Sequence, residues 1–200
     1  MSDGLHTEKN AEQSTSLPQV SMRQLGMLVL FCSLTVLFTA TIIGFWFTRI
    51  TATAEQYRAP GLPDLPEGLL LSTLLIGLTS LCIWQAQLSV RRNQLEALKR
   101  WLLAAGALAG LFLLTQTANW FAMRPPSDAN SLYLATFFML TGVHALHVLG
   151  GFVPLGFVIH HASRRHYSSS SHEGLSLCAQ YWHFLGGVWL VLVTMLYLGD

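Results

Sequence analysis

Five apolar segments, separated by short polar connections, dominate the pattern of this chain. Each is near or above the ~20 residues that a helix rising ~1.5 Å per residue needs to cross ~30 Å of hydrocarbon. The segments span Met27–Phe47, Gly68–Val90, Trp101–Met123, Leu132–His160 and Leu175–Leu198. None of them contains an aspartate, glutamate, lysine or arginine. The pattern predicts an all-α, polytopic membrane protein built as a bundle of five transmembrane helices.

Lysines and arginines in the connections predict the orientation, because they favour the cytoplasmic side. Eight lie in the N-terminal tail and in the second and fourth connections, against three in the first and third. We therefore expect a cytoplasmic N-terminus and a C-terminus outside. Residues 1–26 are expected to form a polar cytoplasmic tail rather than a signal peptide, and residues 27–200 a single five-helix domain.

The connections themselves differ in character. Residues 48–67 contain Pro60, Pro63 and Pro66 and are predicted to form a stiff, extended outer loop rather than a helix. The sequence RPPSD at 124–128 predicts a tight outer turn. The inner loop HHASRRHYSSSSHEG at 160–174 fits a metal site, a grip on anionic lipid headgroups, or a solvated flexible connection.

Composition narrows the class of protein further. With 52% hydrophobic and 10% charged residues among 200, the chain has too little polar surface for a soluble domain of its size. Its net charge of +1 gives no electrostatic support to a nucleic-acid partner. Cys32, Cys82 and Cys178 are spaced as small buried hydrophobes rather than as a disulfide framework or a cysteine metal site.

Away from their ends, the membrane segments carry three histidines, His144, His147 and His183. Histidine is costly in hydrocarbon and therefore informative. His144 and His147 project from one helix face and cannot ligate the same haem iron from opposite sides. Either could pair with His183 around a b-type haem, or contribute to a copper or zinc site. Alternatively, each imidazole forms a hydrogen bond to a hydroxyl or backbone carbonyl between helices.

Small residues in the segments predict close helix packing. Gly106 and Gly110 form a small-xxx-small motif in the third segment, which allows a neighbouring backbone to approach. The fourth segment contains Gly142, Gly150, Gly151 and Gly156.

The absence of ionic groups across the five segments argues against one class of function. A proton pump or ion-coupled carrier places carboxylates or lysines along its path. Here the most polar side chains of the third segment are the neutral amides of Gln116 and Asn119. A stand-alone pump, ion-coupled carrier or self-contained oxidoreductase is therefore not expected.

Two motifs resemble a known family. FFMLTGVHALHVLGG at 137–151 resembles the signature of subunit III of the haem-copper terminal oxidases, and YWHFLGGVW at 181–189 is similar to that family's closing motif. Upstream, LLLSTLLIGLTSLCIW and RRNQLEALKRWLL add to the resemblance, which covers Gly68 to the end and fits the short, five-helix bacterial form. The motif residues are Gly142, His144, His147, Gly150, Gly151, Tyr181, Trp182, His183, Phe184 and Trp189.

The resemblance implies a non-catalytic subunit of a cytochrome c or quinol oxidase in the bacterial cytoplasmic membrane. Such a subunit binds no cofactor of its own. It packs on subunit I, which holds the haems and copper, and contacts other oxidase subunits and membrane lipid, with bound phospholipid as a further ligand. It stabilises the complex and supports proton uptake and sustained reduction of oxygen to water. The motif histidines would then serve helix packing and internal hydrogen bonding.

The chain departs from the family pattern at two positions. Gly186 and Asn119 stand where the family usually has acidic residues, so any role of those acids is not carried over. Gly186 and Gly187 are instead expected to let a neighbouring helix approach closely. The alternative functions are an accessory membrane protein of a nitric oxide reductase and a small b-type haem cytochrome.

Overall fold

Six helices form the described part of the chain, and five of them are long and apolar enough to cross a membrane. The structure is a computed structural model that describes residues 22–58, 62–124, 131–164 and 173–199. The helices are α1 (Met22–Thr51), α2 (Ala54–Tyr57), α3 (Gly68–Arg91), α4 (Leu95–Ala122), α5 (Leu132–Ser163) and α6 (Glu173–Gly199). The prediction of an all-α protein with five transmembrane helices is confirmed, and the orientation of its termini stays a prediction.

The long helices extend beyond the apolar segments that predicted them. α1 begins at Met22 rather than Met27, and α4 begins at Leu95 rather than Trp101. The physical reason is that hydropathy marks only the part in hydrocarbon, whereas the helix continues into the headgroup region where charged side chains can reach water. The start of the expected N-terminal tail, residues 1–21, lies outside the described residues.

The connection between α1 and α3 is more helical than expected. α1 runs to Thr51, and Thr53 then starts α2 with a capping box. In this box the Thr53 hydroxyl accepts a hydrogen bond from the backbone N–H of Gln56. The side-chain carbonyl of Gln56 in turn accepts one from the backbone N–H of Thr53. The prediction of an extended loop was therefore wrong for this turn, although residues 62–66 have no regular structure. Positions 125–128 and 165–172 of the other two loops lie outside the described residues.

The chain divides into two compact units, residues 1–37 and residues 38–200. In the first unit the described residues belong to the start of α1. There the hydroxyls of Ser33 and Thr35 donate to the carbonyls of Val29 and Phe31 on their own helix, at 2.9 and 2.7 Å. These hydroxyls are therefore satisfied without a neighbouring helix, as hydrocarbon requires.

In the second unit, α3 to α6 pack around a common core. α3 packs most extensively on α4, α4 on α5, α5 on α6, and α6 back on α3. Large side chains fill the interior, and the largest fully buried ones are aromatic: Trp182, Trp189, Tyr133, Phe112 and Phe137. The four-helix arrangement brings α5 and α6, which carry the two family motifs, into direct contact.

From Phe38 onward, α1 contacts the other helices through individual large side chains. Trp46 donates its indole N–H to the Met195 sulfur at 3.0 Å, and Phe45 covers the position where a side chain at Gly199 would stand. Arg49 donates from Nε to the Gly199 carbonyl at 2.9 Å. An arginine in this place satisfies a free carbonyl at the C-terminal end of α6 and complements its helix dipole.

A stack of arginine and tyrosine side chains fixes the same end of the bundle. Tyr57 and Tyr133 meet edge to face with ring centroids 5.8 Å apart, Arg49 lies over Tyr57 at 4.8 Å, and Arg58 lies over Tyr133 at 5.0 Å. Ser131 also donates to the Tyr57 carbonyl at 2.8 Å. These contacts attach α2 to the start of α5 through cation–π and aromatic pairing.

Candidate functional site

His144 lies at the centre of the α3–α6 core and is fully buried. Its ring centroid is 5.0 Å from that of Trp189, 5.8 Å from that of Phe112 and 6.1 Å from that of Phe38. Neither ring nitrogen has a hydrogen-bond partner among the described residues. The imidazole is thus held by aromatic packing from three helices rather than by hydrogen bonds.

His147 lies one turn further along α5 and is partly exposed. Its Nδ1–H donates to the Val143 carbonyl of the same helix at 2.7 Å. Its own backbone carbonyl accepts a hydrogen bond from the Tyr181 hydroxyl on α6 at 2.9 Å. The hydrogen bond from α6 is therefore made to the backbone of His147, while its ring packs against Phe38 of α1 with ring centroids 5.2 Å apart.

Gly151 is the glycine of α5 that lies nearest to side chains of α6. A Cβ added there would lie 3.0 Å from Tyr181 Cε1 and 3.1 Å from Trp182 Cζ2, whereas at Gly150 the nearest atom, Tyr181 Oη, is 3.8 Å away. The two family motifs thus meet directly, with the aromatic pair of one motif seated on a glycine of the other.

His183 occupies a different part of the bundle. It is exposed on α6, and its Nδ1 is hydrogen-bonded to Ser80 Oγ on α3 at 3.2 Å. The same serine oxygen would lie 3.2 Å from a Cβ at Gly186. The next motif residue, Phe184, is half-buried. Gly186 and His183 therefore both lie where α6 meets α3.

Trp189 joins the α5 and α6 motifs to the rest of the core. It is fully buried and donates its indole N–H to Thr73 Oγ1 on α3 at 3.1 Å. Its ring also meets Phe112 of α4 edge to face at 5.0 Å. One side chain of α6 thus contacts α3, α4 and α5.

The remaining glycines differ in what surrounds them. A Cβ at Gly106 would approach only Leu155 Cδ2, at 3.8 Å. At four other glycines, an added Cβ would have no atom of a neighbouring described helix within 4 Å. These are Gly110, Gly142, Gly156 and Gly187. Close packing at Gly110 and Gly187 therefore stays a proposal, in which the packing partner would be another polypeptide.

A neutral polar cluster joins α3 to α4. Ser72 Oγ accepts from Gln116 Nε2 at 2.8 Å and from Asn119 Nδ2 at 3.4 Å, and it donates to the Gly68 carbonyl at 2.9 Å. The Asn119 amide occupies the space that a side chain at Gly68 would need. The position where the family usually has an acid is thus filled by a buried amide that hydrogen-bonds a hydroxyl.

The three histidines do not converge on a common ligand position. His144 is enclosed by aromatic rings, whereas His183 bonds Ser80 at the exposed contact of α6 with α3. A porphyrin ligated by His144 would have to displace Phe112, Trp189 or Phe38. Among the described residues, no three histidine, cysteine, aspartate or glutamate side chains lie close enough to hold a metal ion.

Several residues of this site were missed by reasoning from the sequence. Ser72, Thr73 and Ser80 provide the interhelical hydrogen-bond partners on α3, and the sequence pattern did not single out any of them. The available signal was that hydroxyl residues recur through α3, an otherwise apolar helix. Which of them faces another helix depends on helix rotation, which one sequence does not give.

Comparison with known proteins identifies the family. A family model of cytochrome c oxidase subunit III matches residues 6–200, which extends well upstream of Gly68, where the motif resemblance began. The chain belongs to the cytochrome c oxidase subunit III family.

Proteins named cytochrome c oxidase subunit 3 are similar to this subunit III family member over most of its length. The protein of Thermostichus vulcanus is 25% identical over 177 residues, which cover 88% of this chain and 87% of that protein. The protein of Synechocystis sp. is 28% identical over 180 residues, which cover 88% of this chain and 76% of that protein. The protein of Sus scrofa is 29% identical over 188 residues, which cover 92% of this chain and 71% of that protein.

The Ser72 cluster gives a first prediction for this subunit III family member. In Ser72→Ala, the side-chain amides of Gln116 and Asn119 lose their shared acceptor, and we expect a loss of about 1 to 2 kcal/mol of unfolding free energy. Denaturation with SDS in mixed micelles, followed by circular dichroism, measures the loss. The matched control is Ser89→Ala, since the Ser89 hydroxyl bonds, within the described part of the chain, the Gln85 carbonyl of its own helix and no side chain of another helix. Equal stability of the two variants would contradict the assignment of Ser72 as an interhelical acceptor.

His144 gives a second prediction. We expect His144→Phe to leave the unfolding free energy within about 1 kcal/mol of the wild type, or to raise it, because two desolvated ring nitrogens without partners are removed. His144→Ala keeps no ring in the cavity and should cost about 2 kcal/mol or more. The same mixed-micelle titration compares them. A loss in the phenylalanine variant as large as in the alanine variant would show that the imidazole nitrogens make stabilising hydrogen bonds.

Proposed function

We propose that this chain is an accessory, cofactor-free subunit of a haem-copper respiratory oxidase and that it packs on catalytic subunit I. The observation that carries the proposal is the family match over residues 6–200. The geometry supports it, because His144 is enclosed by aromatic rings, His183 bonds Ser80 on α3, and the side-chain amides of α4 donate to Ser72. The haems and copper of the reaction would then belong to the partner subunit.

The surface of the bundle supports a protein partner. Within the most hydrophobic parts of α3, α4, α5 and α6, only 28 to 44% of the residues are buried inside this chain. His183 is exposed on α6, and the nearby Gly187 has open space around it. Imidazoles in membrane helices usually face protein or a water-filled cavity rather than lipid tails. We therefore place a helix of subunit I on the face of α6 that carries His183 and Gly187.

The functional role follows from this arrangement. In the proposed complex the chain stabilises subunit I and supports proton uptake and sustained reduction of oxygen to water during aerobic electron transport. Since Asn119 and Gly186 replace acidic residues of the family pattern, the support for proton uptake would come through packing rather than through a carboxylate at these positions. Other oxidase subunits and membrane phospholipid are further proposed partners, and no nucleic acid is involved.

The proposed location is the bacterial cytoplasmic membrane, with the N-terminus in the cytoplasm. The distribution of lysine and arginine supports this orientation. A protease-protection assay with a cleavable tag at either end would test it.

Purification of the tagged chain in mild detergent tests the proposed function. We expect a haem-copper catalytic subunit to copurify and the reduced-minus-oxidised spectrum of the preparation to show its haems. Gly187→Leu should reduce the amount of copurified subunit, whereas Gly156→Leu, at an exposed glycine on α5, provides the matched control. Copurification with a nitric oxide reductase instead, or a haem spectrum from the chain alone, would contradict the proposal.

A further inference from the structure

The turn between α3 and α4 carries a concentrated positive charge. Arg91, Arg92, Lys99 and Arg100 all lie within ten residues of one another and are exposed. None of the four side chains makes an ion pair or hydrogen bond to another residue in the ranges that the structure describes. Between Arg91 and Arg100 the sequence has four basic residues and one acidic residue, Glu96, so this part of the chain carries a net positive charge at one end of two membrane helices.

A groove is built into this turn. It has a volume of about 540 Å³ and is lined by Asn93, Gln94, Leu95, Glu96, Ala97 and Arg100. Asn93 has a positive φ of 55°, which sharpens the reversal between the helices. The turn therefore carries a shallow, open depression beside Arg100.

Two exposed tryptophans mark the membrane depth next to the turn. Trp84 of α3 is 48% exposed and Trp101 of α4 is 39% exposed. Trp84 lies seven residues before Arg91, which is about 10 Å along α3, and Trp101 directly follows Arg100 on α4. Tryptophan favours the boundary between headgroups and acyl chains, which places the cations at headgroup level.

We propose that the α3–α4 turn binds an anionic glycerophospholipid. Its phosphate would lie in the groove beside Arg100, near Arg91, Arg92 and Lys99, and its acyl chains would follow the exposed apolar surface next to Trp84 and Trp101. Charge complementarity favours this occupant, because each cation near an anionic headgroup raises the affinity about fivefold. The exposed Leu81 and Leu103 extend the apolar surface below the turn.

Quenching of tryptophan fluorescence by brominated lipid tests the site. The full chain is reconstituted into phosphatidylcholine vesicles that contain a small fraction of either dibrominated phosphatidylglycerol or dibrominated phosphatidylcholine. We expect phosphatidylglycerol to quench at least about fivefold more effectively at equal mole fraction. Combined Trp84→Phe and Trp101→Phe substitution should remove most of this difference. Equal quenching of the wild type by the two lipids would overturn the proposal.

Matched single substitutions separate a site from diffuse charge attraction. Arg100→Gln should reduce the preference for phosphatidylglycerol about fivefold. Arg164→Gln removes one exposed cation at the end of α5, on the same predicted side of the membrane, and should leave the preference nearly unchanged. Equal losses in the two variants would show that only total charge matters, which would refute a site at the turn.

Two measurements on the wild type do not depend on the folding of any variant. The preference should fall at about 1 M salt, where the Debye length is about 3 Å. Glycerol 3-phosphate, a soluble headgroup analogue, should not relieve the quenching, since it lacks acyl chains. A preference that survives high salt would contradict recognition of the headgroup by charge, and full relief by the soluble analogue would show that the turn binds phosphate without acyl chains. Either result would overturn the proposal.

Discussion

Replacing Trp189 by alanine should destabilise the bundle strongly. We expect Trp189→Ala to lower the unfolding free energy by about 3 to 5 kcal/mol, as in other large-to-small substitutions in packed cores. The indole fills the centre of the second unit, where its ring contacts Phe112 and His144, and its N–H bonds Thr73. Removing it leaves a cavity between four helices and takes away the N–H from which the Thr73 hydroxyl accepts, although that hydroxyl still donates to the Leu69 carbonyl.

Matched variants separate packing from hydrogen bonding at this position. Trp189→Phe keeps an aromatic ring but loses the hydrogen bond to Thr73. We expect the loss of this bond to lower the unfolding free energy by about 1 kcal/mol, in addition to any effect of repacking. Trp84→Ala removes a tryptophan that is 48% exposed and should cost less than about 1 kcal/mol. SDS titration in mixed micelles compares all three. A Trp84→Ala loss equal to that of Trp189→Ala would contradict a core centred on Trp189.

Gly151→Leu should have the next largest effect. A Cβ at this position already lies 3.0 Å from Tyr181 and 3.1 Å from Trp182, so a leucine must push α6 away from α5. Overpacking of this kind costs about 1 to 3 kcal/mol, and we expect the upper end because aromatic rings face the added atoms. The shift should also lengthen the bond from the Tyr181 hydroxyl to the His147 carbonyl.

Gly156 on the same helix supplies the control for Gly151. Gly156→Leu adds the same atoms at a position with no neighbouring described atom within 4 Å. Since leucine favours the helix over glycine by about 0.5 to 1 kcal/mol, this variant should be as stable as the wild type or slightly more so. The difference between the two variants in thermal midpoint and SDS titration isolates the contact with α6. If both variants behave alike, the close approach at Gly151 does not exist.

The five membrane helices could be predicted from the sequence because hydrocarbon leaves the backbone few alternatives. A long segment without charges must satisfy its own amide groups, and a helix does so. The helix ends were harder to predict, because charged residues next to the membrane can continue a helix. The start of α4 at Leu95 is an example. The helix at Ala54–Tyr57 was missed since its signal is a four-residue capping box among prolines.

The motif residues lie on α5 and α6, but their partners were not predictable from the sequence. Side chains in a membrane helix can face lipid, another helix or another subunit, and the rotation that decides this depends on long-range packing. His183 and Ser80, about one hundred residues apart in sequence, illustrate the point. His144 illustrates the opposite case, in which an imidazole lies in the core among aromatic rings without a hydrogen bond to a described residue.

These observations favour a subunit that acts through a neighbour. The core is filled by aromatic packing, the α3–α4 amides are bonded to a hydroxyl, and His183 lies on an exposed face. The redox chemistry of the complex would accordingly take place on another polypeptide. The proposed lipid site at the α3–α4 turn is independent of this role, since it depends on charge at the end of the bundle.

Haem and copper analysis of the purified complex, before and after this chain is dissociated with a stronger detergent, tests the central claim most directly. We expect all haem and copper to remain with the catalytic subunit and the dissociated chain to contain neither. Haem or stoichiometric copper that leaves with this chain would contradict its assignment as a subunit without a redox centre.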